Sequence, residues 1–221
     1  MRRTLTALAT IALAGVALAP TASAQSSIGM ENPFEGGRFG GSISQIVPEG
    51  WTFGQGELAE IDRAVDLERY AGTWYQVAAI PQPYTLQCLR DTTAEYAVID
   101  DSTISVKNSC STLTGSRSEI EGTASVRSQA SLRVNFPGVP FQDPNGPTNY
   151  RITYLAEDYS LAIVGDPGRR SGFVLSRTPD LSEEQWRAVR SVVEERGYSS
   201  CTFFTVPAES GRSDIKPLCL L

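Results

Sequence analysis

The chain predicts an all-β domain, and three observations carry that prediction. Between residues 73 and 177 the sequence breaks into short runs with alternating apolar residues at regular spacing, the pattern expected of an all-β barrel. Clusters that favour chain reversal separate most of them: Asp100-Asp101-Ser102, Thr114-Gly115-Ser116, Glu157-Asp158 and Asp166-Pro167-Gly168. A single helix with a full set of start and stop signals follows the last run.

The elements come in the following order. Arg2 and Arg3, an apolar run from Leu5 to Ala19 and then Ala22-Ser23-Ala24 have the layout of a cleavable secretory signal, so residues 1–24 are expected to be removed and the mature chain to begin at Gln25. The run is shorter than the roughly 20 residues of a membrane-spanning helix. Residues 25–57 are expected to form a flexible leader: Gln25 to Gly56 holds eight glycines and two prolines in 32 residues, with single aromatics at Phe34, Phe39, Trp51 and Phe53. A sharper reading folds these aromatics over a barrel mouth. The folded domain is expected over residues 58–221. It opens on Leu58, Ile61 and Val65, whose helical spacing would lay one apolar face against a barrel floor.

Strands are expected at 73–80, 92–99, 103–109, 118–127, 130–136, 149–156, 160–165 and 171–177, which makes eight. Ser182 and Gln185 form a capping box, and Leu181 with Trp186 is placed as a hydrophobic staple, so a helix should begin there. Trp186, Val189 and Val193 give it one apolar stripe, and Gly197 should end it. Thr202 to Val206 reads as a ninth strand at the barrel edge, with residues 209–221 as a tail.

Composition excludes several function classes. The whole chain carries 19 basic and 25 acidic residues. Without Arg2 and Arg3 the balance is 17 against 25, a net charge near −8 that argues against nucleic acid and against docking on anionic lipid. There is no histidine, the commonest general base and metal ligand. No nucleophile elbow, phosphate loop or dinucleotide fingerprint occurs, and the adjacent acids Asp100-Asp101 and Glu183-Glu184 fall in a turn and a helix start. Neither metal nor cofactor is expected, nor an enzyme.

Local motifs carry a resemblance. Gly72-Thr73-Trp74, directly after Asp66-Leu67-Glu68-Arg69-Tyr70 and opening an alternating strand, resembles the first signature of the lipocalins and its short helical entry. Asp158-Tyr159 followed by Leu161-Ala162-Ile163-Val164-Gly165 is similar to the second signature. Phe173 to Pro179, running into Leu181-Ser182-Glu183-Glu184, is similar to the third, closest to the bacterial outer-membrane and apolipoprotein D branch. The resemblance covers about residues 58 to 206, with the signatures in family order. It implies an eight-stranded antiparallel up-and-down barrel, one C-terminal α-helix packed outside, a short N-terminal helix at the closed end, and a pocket for one apolar molecule such as a fatty acid or phospholipid. It also implies that Arg177 stacks over Trp74 to close the floor. The first cysteine is Cys88, so the lipid-anchoring cysteine of many bacterial relatives has no counterpart, and a secreted or cell-envelope protein without that anchor is expected; the sequence leaves the oligomeric state open, with a monomer the default expectation.

Strand alternation nominates the pocket. Gln76, Ala78 and Ile80 are in phase with Trp74, while Phe173 and Leu175 are in phase with Arg177. Tyr96, Val98, Ile104, Val106, Val134, Phe136, Ile152 and Tyr154 are further candidates from the middle strands. Arg90, Arg133 and Arg151 are candidate partners for a polar head at the mouth. The four cysteines, Cys88, Cys110, Cys201 and Cys219, allow three pairings. The resemblance implies Cys88 with Cys219. A hairpin turning at Asp100 to Thr103 would also set Cys110 opposite about residue 93, out of reach of Cys88, so Cys88–Cys219 with Cys110–Cys201 is the expected set. Two alternatives stand beside the carrier: a lipocalin-fold enzyme of prostaglandin D synthase type using a free cysteine, and a barrel that binds another protein through its loops.

Overall fold

The computed structural model describes residues 56–140 and 142–221, so the expectations for the signal and for nearly all of the leader lie outside the described residues. The first regular element, α1 (Leu67–Tyr70), is one turn whose start is fixed by Asp66, because the carboxylate accepts from the N–H groups of Glu68 and Arg69. Eight strands follow: β1 (Gly72–Ala79), β2 (Cys88–Asp100), β3 (Thr103–Thr112), β4 (Arg117–Val126), β5 (Ser131–Asn135), β6 (Tyr150–Leu155), β7 (Leu161–Gly165) and β8 (Gly172–Ser176). Each pairs antiparallel with the next, and β1 pairs with both β8 and β2, which closes the sheet into a barrel. One end holds α1 and the β2–β3, β4–β5 and β6–β7 turns. The other holds the β1–β2, β3–β4, β5–β6 and β7–β8 connections.

Helix α2 (Glu183–Glu195) carries the capping box at Ser182 and Gln185, and Gly197 follows its end at φ 79°. Its buried Trp186, Val189 and Val193 pack with Val77, Ile163 and Val174 in an apolar layer outside the barrel. A second layer, inside, contains Trp74, Tyr96, Val106, Ile152 and Leu175. Neighbours in sequence divide between the two: Ala162 and Val164 face in, Ile163 faces out. Strand β9 (Phe204–Thr205) pairs with the upper part of β1, on the edge whose lower part pairs with β2. Asp91 then donates its N–H to the Pro207 carbonyl at 2.9 Å, so the C-terminal segment wedges between β1 and β2 toward the open end.

Two expectations are corrected. Leu58, Ile61 and Val65 are not helical, because their N–H groups go to the carbonyls of Pro167, Ile152 and Gln129 on three different elements; the segment runs along the barrel and only α1 is a helix. The disulfides are Cys88–Cys110 and Cys201–Cys219, not Cys88–Cys219 and Cys110–Cys201. Thr93 faces Ser109, one residue from the Cys110 that the hairpin arithmetic set opposite it, and two register shifts between Cys88 and Thr93, with Asp91 at φ 55°, absorb residues of β2 without partners. Cys88 is thereby drawn opposite Thr112, and its Cα comes to 5.5 Å from that of Cys110. The tail folds back along β9 through Thr205 N–H to the Lys216 carbonyl and Leu218 N–H to the Phe203 carbonyl, which sets Cys219 beside Cys201. All four cysteines are paired, and with them goes the free-thiol enzyme.

Candidate ligand-binding interior

The floor is built around one guanidinium. Arg177 lies 3.9 Å over the Trp74 ring and donates to the carbonyls of Thr73, Arg69 and Ala71 at 2.9, 2.8 and 2.8 Å. Trp74 Nε1 donates to the Tyr70 carbonyl at 2.8 Å. These bonds satisfy the carbonyls at the end of α1 that a single turn leaves open, and they tie the entry segment to the end of β8. Gly72 sits here at φ 93°, a conformation that favours glycine, and a Cβ on it would stand a tight 3.3 Å from Arg177 Nη1, so the guanidinium would have to give slightly.

Inner positions form rows across paired strands. Tyr96, Val106 and Gly122 face one another, and Phe136 completes the row by covering Gly122, where a Cβ would come within 2.7 Å of its ring. Trp74, Ala94, Asn108 and Ile120 form the next row, which climbs toward the open end. Ile120 shares the phase of fully buried Ala124 yet is 39% exposed. The upper interior is therefore accessible from outside. Every side chain in the inner phase of β3 to β8 is uncharged.

The nominated residues divide. Tyr96, Val106, Ile152 and Leu175 are buried in the inner layer, with Val98, Phe136 and Phe173 packed against it. Ala78, Ile80 and Tyr154 belong to the outer layer with α2, contrary to expectation. Both errors have one cause: a bulge between Gln76 and Ala78 and another between Ile152 and Tyr154 each shift the alternation by one residue. The three mouth arginines are occupied structurally. Arg90 pairs with Asp91 at 3.4 Å, Arg133 donates to the carbonyls of Asp143 and Pro147, and Arg151 holds Glu57 and the Leu58 carbonyl.

Two inner residues escape a reading of the sequence. Tyr150 is in phase with Ile152, a signal that alternation could supply, whereas Tyr70 ends α1 and carries no strand pattern. Both phenols are pushed well above the ordinary tyrosine range, by burial first and then by neighbouring phenols; burial pushes Tyr96 up to about 12. Below them, a cavity of about 170 Å³ lies between the entry segment and the closed-end turns, lined by Val65, Leu67, Tyr70, Ser128 and Leu132 among others.

A closed antiparallel barrel with a sealed floor, an uncharged interior and a helix outside defines a protein that encloses a small apolar molecule. A family profile described as a lipocalin-like domain matches residues 65–208, and the chain belongs to the lipocalin family. It is 32% identical to temperature-induced lipocalin-1 of Arabidopsis thaliana over 72% of this chain and 85% of that one. It is 31% identical to the outer membrane lipoprotein Blc of Escherichia coli over 64% of this chain and 78% of Blc. Among solved structures, insecticyanin from the tobacco hornworm Manduca sexta matches with a TM-score of 0.52 at 18% identity, covering 75% of this chain and 96% of its own. At that identity the likeness speaks for the fold alone.

Proposed function

We propose that this protein is an exported carrier that binds one lipid or similar apolar molecule inside the barrel, for transport, storage or sequestration at the cell envelope, and that it is not an enzyme. The observation that carries this reading is Ile120, an apolar side chain that faces inward and remains exposed. An open, uncharged interior above a sealed floor suits an acyl chain. Burying about ten methylenes would yield a gross gain of roughly 8 kcal/mol, and association costs remove much of it, so micromolar affinity is expected. Export rests on the signal-like residues 1–24, and an envelope location is supported by the name of the Blc relative, an outer membrane lipoprotein.

The test is titration with the neutral dye phenylnaphthylamine and displacement by oleate. Saturable one-to-one binding is expected, and Ile120→Trp should weaken it at least tenfold without changing the melting transition. Binding that ignores Ile120→Trp would place the dye elsewhere and remove the main support. A second reading, a barrel that docks a protein through its open-end loops, is favoured by exposed Tyr84, Leu86 and Leu113. A stable partner found on protein whose barrel binds no apolar probe would select it.

A further inference from the structure

Three phenols meet inside the barrel. Tyr70 Oη lies 2.7 Å from Tyr150 Oη, and Tyr96 Oη lies 3.1 Å from the same atom. Ring contacts hold the group in place: Tyr70 stacks on Tyr96 with centroids 5.5 Å apart, and Tyr96 meets Tyr150 edge-on at 6.4 Å. Counting protons leaves a remainder. Three hydroxyls bring three donors, but the group contains two hydrogen bonds. Whichever oxygen donates in each, one O–H has no acceptor among the three. The surplus proton is free for an acceptor supplied from outside the chain, water in the empty barrel or a ligand atom in the filled one.

Tyr150 is the member placed to present it. Tyr70 and Tyr96 are 1% and 5% exposed, whereas Tyr150 keeps accessible surface. Its oxygen also lies between the other two and can accept from both, which frees its own proton and polarises it as a donor. Charge then narrows the acceptor. The inner positions around the group are uncharged, and the Arg177 guanidinium is committed to backbone carbonyls of the floor. The Arg177 charge reaches Tyr70 but no bond joins it to Tyr150, so an anion brought to Tyr150 would lose its water and find no direct ion-pair partner.

We propose that Tyr150, supported by Tyr70 and Tyr96, donates a hydrogen bond to a neutral carbonyl oxygen at the end of the ligand that enters the barrel first. The ligand class is then a ketone, aldehyde or ester with an apolar body, inserted oxygen-first, and not an acid whose carboxylate is buried. The raised phenols fit this role, since they remain neutral donors throughout the physiological range. The inference rests on the carrier reading and specifies the polar end of its site.

The test sets undecyl methyl ketone against tridecane, which has the same chain length and lacks the carbonyl, as competitors of phenylnaphthylamine. Wild-type protein should prefer the ketone by about tenfold, the worth of one net hydrogen bond. Tyr150→Phe should lose or reverse that preference, because the ketone carbonyl then enters an apolar site with no donor while tridecane binds at least as tightly as before; a merely structural role would lower both affinities together. A tenfold preference that survives in Tyr150→Phe, or wild-type protein that binds tridecane and shows no preference, overturns the proposal and leaves the carrier standing. Failure of the dye and both competitors to bind folded wild-type protein overturns the carrier reading as well. Should Tyr150→Phe not fold, the carbonyl stretch of the ketone bound to wild-type protein decides. A shift to lower wavenumber than in alkane solution supports the hydrogen bond, and an unshifted band refutes it.

Discussion

Replacing Trp74 with alanine tests whether the floor is held as described. The indole is fully buried, packs against Tyr70 with centroids 5.1 Å apart, carries the Arg177 guanidinium on one face and donates to the Tyr70 carbonyl. Truncation to alanine removes the packed volume and leaves a cavity, at a cost of about 3–5 kcal/mol. Loss of the cation–π contact, worth about 1–2 kcal/mol when desolvated, falls within the same perturbation and is not added in full. In a domain of this size 1 kcal/mol moves the melting midpoint by about 2–4 °C, so a fall of about 6–20 °C is expected. Trp74→Phe keeps most of the ring and loses the Nε1 donor, and should cost about 1–2 kcal/mol. Both are read by far-ultraviolet circular dichroism on thermal and urea denaturation, without reductant so that the disulfides stay intact. A Trp74→Ala midpoint within about 2 °C of wild type would refute the reasoning.

Peptide mapping without reduction should recover Cys88 linked to Cys110 and Cys201 linked to Cys219; a peptide joining Cys88 to Cys219 would contradict the register of β2 and β3. Gly72→Ala should cost about 1–3 kcal/mol and more than Gly115→Ala. Gly115 shares the positive φ, but a Cβ there would meet nothing within 4 Å, whereas one on Gly72 would meet Arg177; equal unfolding midpoints would remove the steric part. Burial opposes ionisation of Asp166, but bonds from Ser171, Arg170 and Gly168 hold its carboxyl below the ordinary range. A depressed folded pKa contributes stability above the unfolded value, near 4, and loses it as pH falls through the lowered one. Asp166→Asn should therefore flatten the dependence of the midpoint on acid pH, and an unchanged slope would count against it.

Much of the fold is legible because local signals agree with the global pattern. The capping box at Ser182, the staple to Trp186 and the Gly197 stop place α2 correctly, and Asp100 to Ser102 and Asp166 to Gly168 do reverse the chain. The failures share one physical origin. Strand alternation assumes that every residue has a partner across the ladder, and bulges break that assumption without a compositional mark. No glycine or proline announces the shifts at Val77 and Thr153, so alternation puts Ala78, Ile80 and Tyr154 on the wrong face. The same device in β2 misdirects the cysteine pairing, although Asp91 is a residue type that tolerates a left-handed backbone. Leu58, Ile61 and Val65 repeat at helical spacing by coincidence, since each packs in response to a different neighbour. The tyrosine group joins α1, β2 and β6, and only the closed barrel brings those three together.

Whether the interior is a binding site is tested most directly by mass spectrometry of the protein purified without detergent, run natively and after extraction into organic solvent. One apolar species per chain, released by solvent and absent from Ile120→Trp, is the predicted result. Protein that is folded, carries both disulfides, releases nothing and then fails to take up any apolar probe would contradict it.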